Sequence, residues 1–454
     1  MDQMILDYSN REPIYIQIYN HFKEEIINRN LQKGEKLPSI RELSADINVS
    51  KTTIETAYNQ LVVEGYVNNV PKSGYYVVEI KDYLFPETKK SVKQDQIVQS
   101  RDYINNGVDK KSFDIKVWKR IYGNVLLEQE NELYTSGDEQ GELVLRENIC
   151  RFVQKTRGVH CTSSQIVIGA GMQSLLGILC SLLKTKYRNV AMESPGFTHA
   201  KSTFEDYSMN IIPIGVSEEG IDIDILKKSN AKMVFLSPSH QYPTGSVMPI
   251  DKRLEVLNWA KEKDALILED DYDCLIRYES RPIPALQGLD STGHVIYFGS
   301  FSKILLPSIR ISYMILPQSI LELYTSYKRQ FSQSSSKMEQ LALAQFMEEG
   351  YLKKHLRKIK KIYYRKNELI VNFIKKNARN KINILGHDSG LHMMFEITTN
   401  KEVSEILKDA ESQNIHLELV EGFQKDKLVV VFTYSGLEED VIEKTLDLLM
   451  KKVF

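Results

Sequence analysis

The sequence predicts an α/β protein preceded by a small helical domain that ends in a β-hairpin. Two observations carry this. From about residue 110 to 316, short apolar or β-branched runs (NVAMES, AKMVFLSPS, DALILEDD, HVIYFGS and ISYMILP) alternate with helical stretches such as 251–262. That alternation is the pattern of a mostly parallel sheet covered on both faces. Ahead of it, residues 81–108 are polar, lysine-rich and without apolar period, as in an extended linker. The expected organisation is therefore a unit at 1–80, a linker at 81–108 and a large domain at 109–454, whose last α+β segment begins at about 381.

Bulk properties narrow the function. A formal charge of −1 with 26% charged and 42% hydrophobic residues describes a soluble globular chain with no bias toward polyanions. Cys150, Cys161, Cys180 and Cys274 form no C-x-x-C pair, so neither a zinc site nor a disulfide framework is indicated. No apolar run approaches the roughly 18 residues needed to span a bilayer, so a cytoplasmic protein without a membrane partner is expected.

In the first unit Ile14, Ile18, Phe22 and Ile26 recur at helical spacing. Ser39 and Glu42 form an S-x-x-E capping box after Pro38, and Ser50 can cap a helix starting near Lys51. On that helix Ile54, Tyr58 and Leu61 share a face and leave Lys51, Thr52, Thr56 and Asn59 elsewhere. YVNNVPKSGYYVVEI then reads as a hairpin with Lys72, Ser73 and Gly74 at its tip. A cationic, hydroxyl-bearing helix start suits groove docking and phosphate contact, and on spacing alone it equally suits a solvated face. Eight Lys/Arg against eleven Asp/Glu in residues 1–80 make any DNA-binding field local, from Lys36, Arg41, Lys51 and Lys72.

The motifs are more specific than the charge. P-I-Y-I-Q-I at 13–18, G-E-K-L-P-S-I-R-E-L at 34–43 and V-S-K-T-T-I-E-T-A-Y at 49–58 closely resemble the winged helix-turn-helix of GntR-type bacterial transcription regulators. The resemblance implies contacts to promoter double-stranded DNA from Arg41, Ser50, Lys51, Thr52 and Thr53, with the wing tip at Lys72 in or beside the minor groove. The tip carries Pro71 and lacks the family's usual arginine and paired glycines.

In the large domain five segments sit at expected strand ends, where open α/β sheets bind ligands. IVIGAGMQS puts glycines at a strand-to-helix junction that can hold a phosphate, ESPGFTHA supplies Phe197, and SPSHQYPTG ends a strand. LILEDDYD leaves Asp270, Asp271, Tyr272 and Asp273 together, and SFSKILLPSIR brings Lys303 and Arg310. The acids could hold a hard cation, but a lysine and an arginine in the same crevice would oppose one. A cofactor with a phosphate, a basic ring nitrogen and an aldehyde uses everything that converges here, and pyridoxal 5'-phosphate is such a cofactor.

In order and spacing these segments resemble fold-type I aminotransferases over roughly residues 110–454. The motifs are G-D-x-x-G-x-x-x-L-R at 137–146, R-G-V at 157–159, S-H-Q-Y-P-T-G at 239–245, E-D-D-Y-D at 269–273, R-P-x-P-A-L-Q-G-L-D at 281–290 and S-F-S-K-x-L-x-P-x-x-R at 300–310. With the winged helix in front, the chain resembles MocR/GabR-type regulators. The resemblance implies a Schiff-base lysine at Lys303, Asp270 on the pyridinium nitrogen, Tyr272 on the ring hydroxyl and Phe197 stacked on the ring. It surrounds the phosphate with Gly171, Met172, Gln173, Ser300, Ser302 and Arg310.

Departures from the family pattern matter as much. Val429, in LVVVF at 428–432, stands where aminotransferases carry the arginine that clamps a substrate carboxylate. His199 occupies the place of a second substrate-side arginine, and Ser136 that of a tyrosine, with Tyr134 close by. Losing a charge-assisted clamp removes about 1.5–3 kcal/mol and the positioning that transamination needs. The expectation is a homodimeric regulator, not an enzyme, that senses an amine, an amino compound or pyridoxal 5'-phosphate itself. The alternative is a competent aminotransferase fused to a DNA-binding module.

Overall fold

The computed structural model describes residues 6–7, 12–79, 107–273, 275–278, 283–378, 381–386, 390–399, 403, 405, 406, 408, 417–420 and 427–453. Residues 81–106 of the expected linker, together with Cys274, Arg281 and Pro282, lie outside them. The chain divides into two compact units, Met1–Val98 and Gln99–Phe454. Among the described residues no helix is long and apolar enough to cross a membrane.

The first unit holds α1 (Ile14–Ile27), α2 (Ile40–Asp46), α3 (Lys51–Val63), β1 (Val67–Val70) and β2 (Gly74–Val77). Its core is the predicted stripe: Ile18, Phe22 and Ile26 from α1 meet Ile54, Ala57, Tyr58 and Leu61 from α3. Both halves of the Ser39/Glu42 capping box are formed, at 3.2 and 3.0 Å. Ser50 Oγ accepts the Thr53 N–H at 3.2 Å, which satisfies one of the orphan donors of the first turn of α3. Ser50→Ala is expected to cost about 1 kcal/mol in a denaturant melt of this unit. An unchanged midpoint would mean that the cap contributes nothing. β1 and β2 pair antiparallel from Val67↔Val77 to Val70↔Gly74, closed by Pro71, Lys72 and Ser73. Residues 34–37 add a third edge, with Gly34 N–H donating to Val77 O and Leu37 N–H to Tyr75 O, both at 2.9 Å.

The second unit is built on an eight-stranded sheet of β3 (Ile166–Gly169), β4 (Asn189–Ser194), β5 (Asn210–Ser217), β6 (Gly220–Ile221), β7 (Met233–Leu236), β8 (Leu266–Asp271), β9 (Val295–Ser300) and β10 (Ser312–Ile315). The strand order is β3-β10-β9-β8-β7-β4-β5-β6. β5, β4, β7, β8 and β9 are parallel neighbours, whereas β10 runs antiparallel to both β9 and β3. Both faces are covered, as the apolar runs predict. Leu266, Leu268, Ile296 and Phe298 face one core, while Ile267 and Val295 face another and Tyr297 a third.

A second, antiparallel sheet has the order β11-β12-β14-β13, from β11 (Ile382–Leu385), β12 (His392–Thr398), β13 (Glu418–Leu419) and β14 (Lys427–Thr433). One of its faces packs with Ile370, Ile374, Ile442 and Leu446 from the helices Tyr351–Asn377 and Glu439–Val453. Ahead of this sheet run two helices, Lys337–Glu348 and Tyr351–Asn377. Gly350 separates them at φ 77°, a left-handed conformation that other residues rarely adopt.

Candidate functional site

The parallel strands β4, β7, β8 and β9 end at one edge of the large sheet, and β3 ends there too. The antiparallel β10 begins at that edge, because Ser312 lies opposite both Ser300 and Gly169. This reversal returns Arg310 to the edge from which Lys303 departs.

Gly171 caps the helix Met172–Leu183 at φ 95°, and a Cβ there would stand 2.4 Å from Arg310 Nη2. Only glycine lets the guanidinium come so close. Arg310 Nη2 also donates to Ala170 O at 3.1 Å. Beside it, Ser312 Oγ donates to Ser300 Oγ at 2.8 Å and Ser302 N–H to Ser300 Oγ at 3.3 Å. Ser302 Oγ is buried with no partner among the described residues. With the first-turn amides of Met172 and Gln173, which lack an intrahelical acceptor, this arrangement has the donors to cradle a phosphate. Ser334, which no motif signalled, braces it by accepting the Ala170 N–H at 3.0 Å and meeting Ser174 Oγ at 2.9 Å.

Strand alternation separates the acidic run. Glu269 and Asp271 point to one face: Glu269 accepts the Leu286 and Gln287 N–H groups at 2.7 and 2.8 Å. Asp271 pairs with Arg157 Nε at 2.7 Å and accepts from Tyr297 OH, with both charged side chains only 1% exposed. Arg157 also reaches Ser239 Oγ at 2.8 Å and the Ile283 carbonyl. Asp270 points the other way. It is buried, its Oδ1 has no partner among the described residues, and burial followed by the field of Asp271 raises its pKa well above the carboxylate range. A cationic ring nitrogen is the partner that would relieve it. Of the three carboxylates weighed for a cation, Asp271 is therefore held by an arginine, and Asp273 Oδ1 lies 2.7 Å from His240 Nδ1.

Tyr272 OH lies 3.2 Å from the same His240 Nδ1. A ring nitrogen that donates to Asp273 cannot also accept from a phenol, so the Tyr272 hydroxyl keeps its proton for another acceptor. Phe197 is half-buried and meets Tyr242 edge-on at 6.4 Å, and Tyr242 meets Tyr272 edge-on at 6.1 Å. Lys303 is reachable from solvent, while protein crowds and desolvates its ammonium. The surrounding protein lowers its ammonium pKa, while Asp273 and Glu418 act to raise it and Arg310 to lower it. The ten predicted cofactor residues thus surround one sheet edge. Tyr134 is exposed, with its hydroxyl on Glu130 at 3.2 Å. Val429 is buried with Met394, Val420 and Val431.

Sequence reasoning did not select Glu193, His240, Tyr242, His392 or Glu418 as site residues. Glu193 is buried beneath the 237–242 loop, where Oε2 accepts the Ser237 N–H at 3.1 Å, and burial raises its pKa to about 8. Burial likewise lifts Glu269 to about 7. These carboxyls hold protons in the folded state that they lose when unfolded. Cofactor-free protein should therefore lose stability as pH rises from about 4.5 to about 8. Urea midpoints across that range test this, with Glu193→Gln expected to flatten the upper part of the slope and an unchanged slope counting against it.

In the first unit Arg41, Ser50, Lys51, Thr52 and Lys72 are exposed and Thr53 is half-buried. Ser50 Oγ lies 2.9 Å from Thr52 Oγ1 and 2.8 Å from Thr53 Oγ1, so the three hydroxyls form one cluster at the start of α3. Lys72 stands apart at the hairpin tip in a left-handed conformation, φ 64°. Lys36 lies along the hairpin with Nζ 6.0 Å above the Tyr76 ring.

Residues 14–77 match the family described as bacterial regulatory proteins, gntR family, and residues 104–423 match aminotransferase class I and II, a pyridoxal phosphate-dependent family. The uncharacterized HTH-type transcriptional regulator YhdI of Bacillus subtilis is 38% identical over 447 residues, 96% of this chain and 95% of that one. The probable rhizopine catabolism regulatory protein MocR of Rhizobium meliloti is 28% identical, covering 91% of this chain and 87% of its own. The HTH-type pyridoxine biosynthesis transcriptional regulator PdxR of Corynebacterium glutamicum is 27% identical over 75% of this chain and 74% of its own. In fold, the second unit is similar to the kynurenine aminotransferase of Pyrococcus horikoshii, with TM-score 0.68 and 23% identity over 77% of this chain and 89% of that one.

Proposed function

We infer that this chain, which belongs to the helix-turn-helix transcriptional regulators that join a gntR-family domain to a class I and II aminotransferase domain, binds promoter DNA and senses a small molecule through pyridoxal 5'-phosphate held at Lys303. The observation that carries the reading is the pairing of an arginine-and-glycine cradle with a buried, unpartnered Asp270 oxygen on one sheet edge.

The cofactor supplies an aldehyde that condenses with primary amines. Arg310, Gly171, Met172, Gln173, Ser300 and Ser302 would hold its phosphate, Asp270 would keep the ring nitrogen protonated, Tyr272 would donate to the ring hydroxyl, and Phe197 would cover the ring. Lys303 Nζ would hold the cofactor's aldehyde carbon, a place for which an effector's primary amine would compete. The depressed pKa of Lys303 favours the neutral amine that this exchange requires. Val429, buried among apolar side chains, offers no clamp for a substrate carboxylate, which argues for sensing without turnover. A relative named for pyridoxine biosynthesis regulation supports the cofactor itself as one signal.

The regulator works as a cytoplasmic homodimer. Leu126, Leu127, Tyr134 and Leu143 are each large, apolar and exposed, and contact with a second copy would cover them. Effector occupancy shifts DNA binding only through a difference in affinity for two arrangements of the dimer. Lys51 and Arg41 contact phosphate or base edges beside Ser50, Thr52 and Thr53, with Lys72 at the wing.

Mobility shifts on the chain's own upstream DNA, with and without pyridoxal 5'-phosphate and amines, test this. Lys51→Ala is expected to weaken binding and to reduce the salt slope by about 1, and Arg41→Ala to weaken it as well. Wild-type affinity in both variants would discard this DNA face. Release of an oxo acid from an added amino acid would establish turnover instead.

A further inference from the structure

We propose that the effector is a cationic amine, with a diamine as the simplest case, and that Glu418 selects it. The inference rests on the reading of Lys303 as the cofactor residue and goes on to name the class of ligand.

Residues directly opposite in an antiparallel pair project from the same face. Val431 is opposite both Met394 and Glu418, so Glu418 projects on the face that carries Val429, Val431, Met394 and Val420. Its carboxylate reaches the large domain, where Oε2 accepts from Tyr242 OH at 2.5 Å. Tyr242 in turn borders Phe197, Tyr272 and His392 at ring distances of 6.4, 6.1 and 5.0 Å. A carboxylate therefore stands in the wall of the cofactor cleft, on the same strand-face as the valine that replaces the expected arginine. The sign of charge offered to the far end of a ligand is reversed.

The neighbouring charges leave Glu418 with that role. Arg310 is directed at the Gly171 turn, Asp273 is buried and engaged through Oδ1 by His240, and the Lys303 nitrogen is assigned to the cofactor. The Glu418 side chain is partly exposed, so a ligand can reach it, and its field already acts on Lys303. A ligand with one amine for the aldehyde and a second cation for Glu418 satisfies the cleft. A ligand with a carboxylate at that end meets like charge.

The competing role is a strut in which Glu418 only ties Tyr242 across the cleft. The two roles separate in one titration. Full-length protein loaded with pyridoxal 5'-phosphate is titrated with cadaverine, pentylamine and δ-aminovalerate, matched in length, while the visible absorption of the cofactor is followed. Cadaverine is expected to act at concentrations on the order of 10–100-fold below pentylamine, with δ-aminovalerate weakest. Glu418→Gln should bring cadaverine to the level of pentylamine and leave pentylamine unchanged. Equal weakening of all three ligands in Glu418→Gln, or a wild-type preference for δ-aminovalerate, overturns the proposal. The wild-type ranking decides alone should the variant fail to fold. A loaded protein whose spectrum no amine changes removes the diamine proposal only, whereas a protein that shows no cofactor absorption removes the reading of Lys303 with it.

Discussion

Lys303→Ala protein, incubated with pyridoxal 5'-phosphate and then treated with borohydride, is expected to carry no cofactor fixed to the chain, whereas wild type carries it on Lys303. Borohydride locks only a carbon–nitrogen double bond, so the result depends on the lysine nitrogen and not on the cradle. The phosphate residues remain in the variant, and weak, reversible retention of the cofactor should survive. A fixed adduct on the variant at wild-type yield would place the attachment on another lysine.

Arg157→Met is expected to cost about 3–5 kcal/mol of stability, because it strands the Asp271 carboxylate in the interior. Among the described residues Tyr297 would remain as a hydrogen-bond donor to that carboxylate, and Ser239 Oγ and the Ile283 carbonyl would lose a donor. Asp271→Asn in the same background should recover part of the loss by removing the buried charge. Denaturant melts of the three proteins test this, and an Arg157→Met midpoint equal to wild type would show that the ion pair is not what steadies the end of β8.

The sequence was most legible where side-chain chemistry and local geometry coincide. The Ser39 and Ser50 caps, the α3 core face and the alternation of strands each follow from short-range rules, and each is present. E-D-D-Y-D lies at the end of β8, but a run of adjacent carboxylates does not by itself say which of them share a face. Period-two alternation in β8 separates them, leaving the Asp270 Oδ1 without a partner among the described residues and sending Asp271 to Arg157. Much of the motif evidence proves architectural: Arg146 binds the Gly141 and Ser163 carbonyls, and Asp290 accepts the N–H groups of residues 292–295.

What stayed hidden depends on distant pairing. Ser334 lies in a serine-rich stretch with no motif, and only the fold brings it to Ala170. Glu418 sits on a strand of two residues, too short for any periodicity to register, and its meaning comes from Val431 opposite and Tyr242 across the cleft. The reversed direction of β10 is equally non-local, since Gly-rich turn and arginine meet only after β10 has paired with β3 and β9.

That meeting of Ala170 and Arg310, 140 positions apart, has a bearing on how the protein matures. A ribosome must deliver both before any phosphate site exists, so a nascent or truncated chain ending before β10 has nothing to load. Cofactor held tightly by the finished fold adds up to about 2.7 kcal/mol at a hundredfold excess over its dissociation constant, less whatever the unfolded chain binds. The melting temperature of this regulator thereby becomes a gauge of the vitamin pool around it.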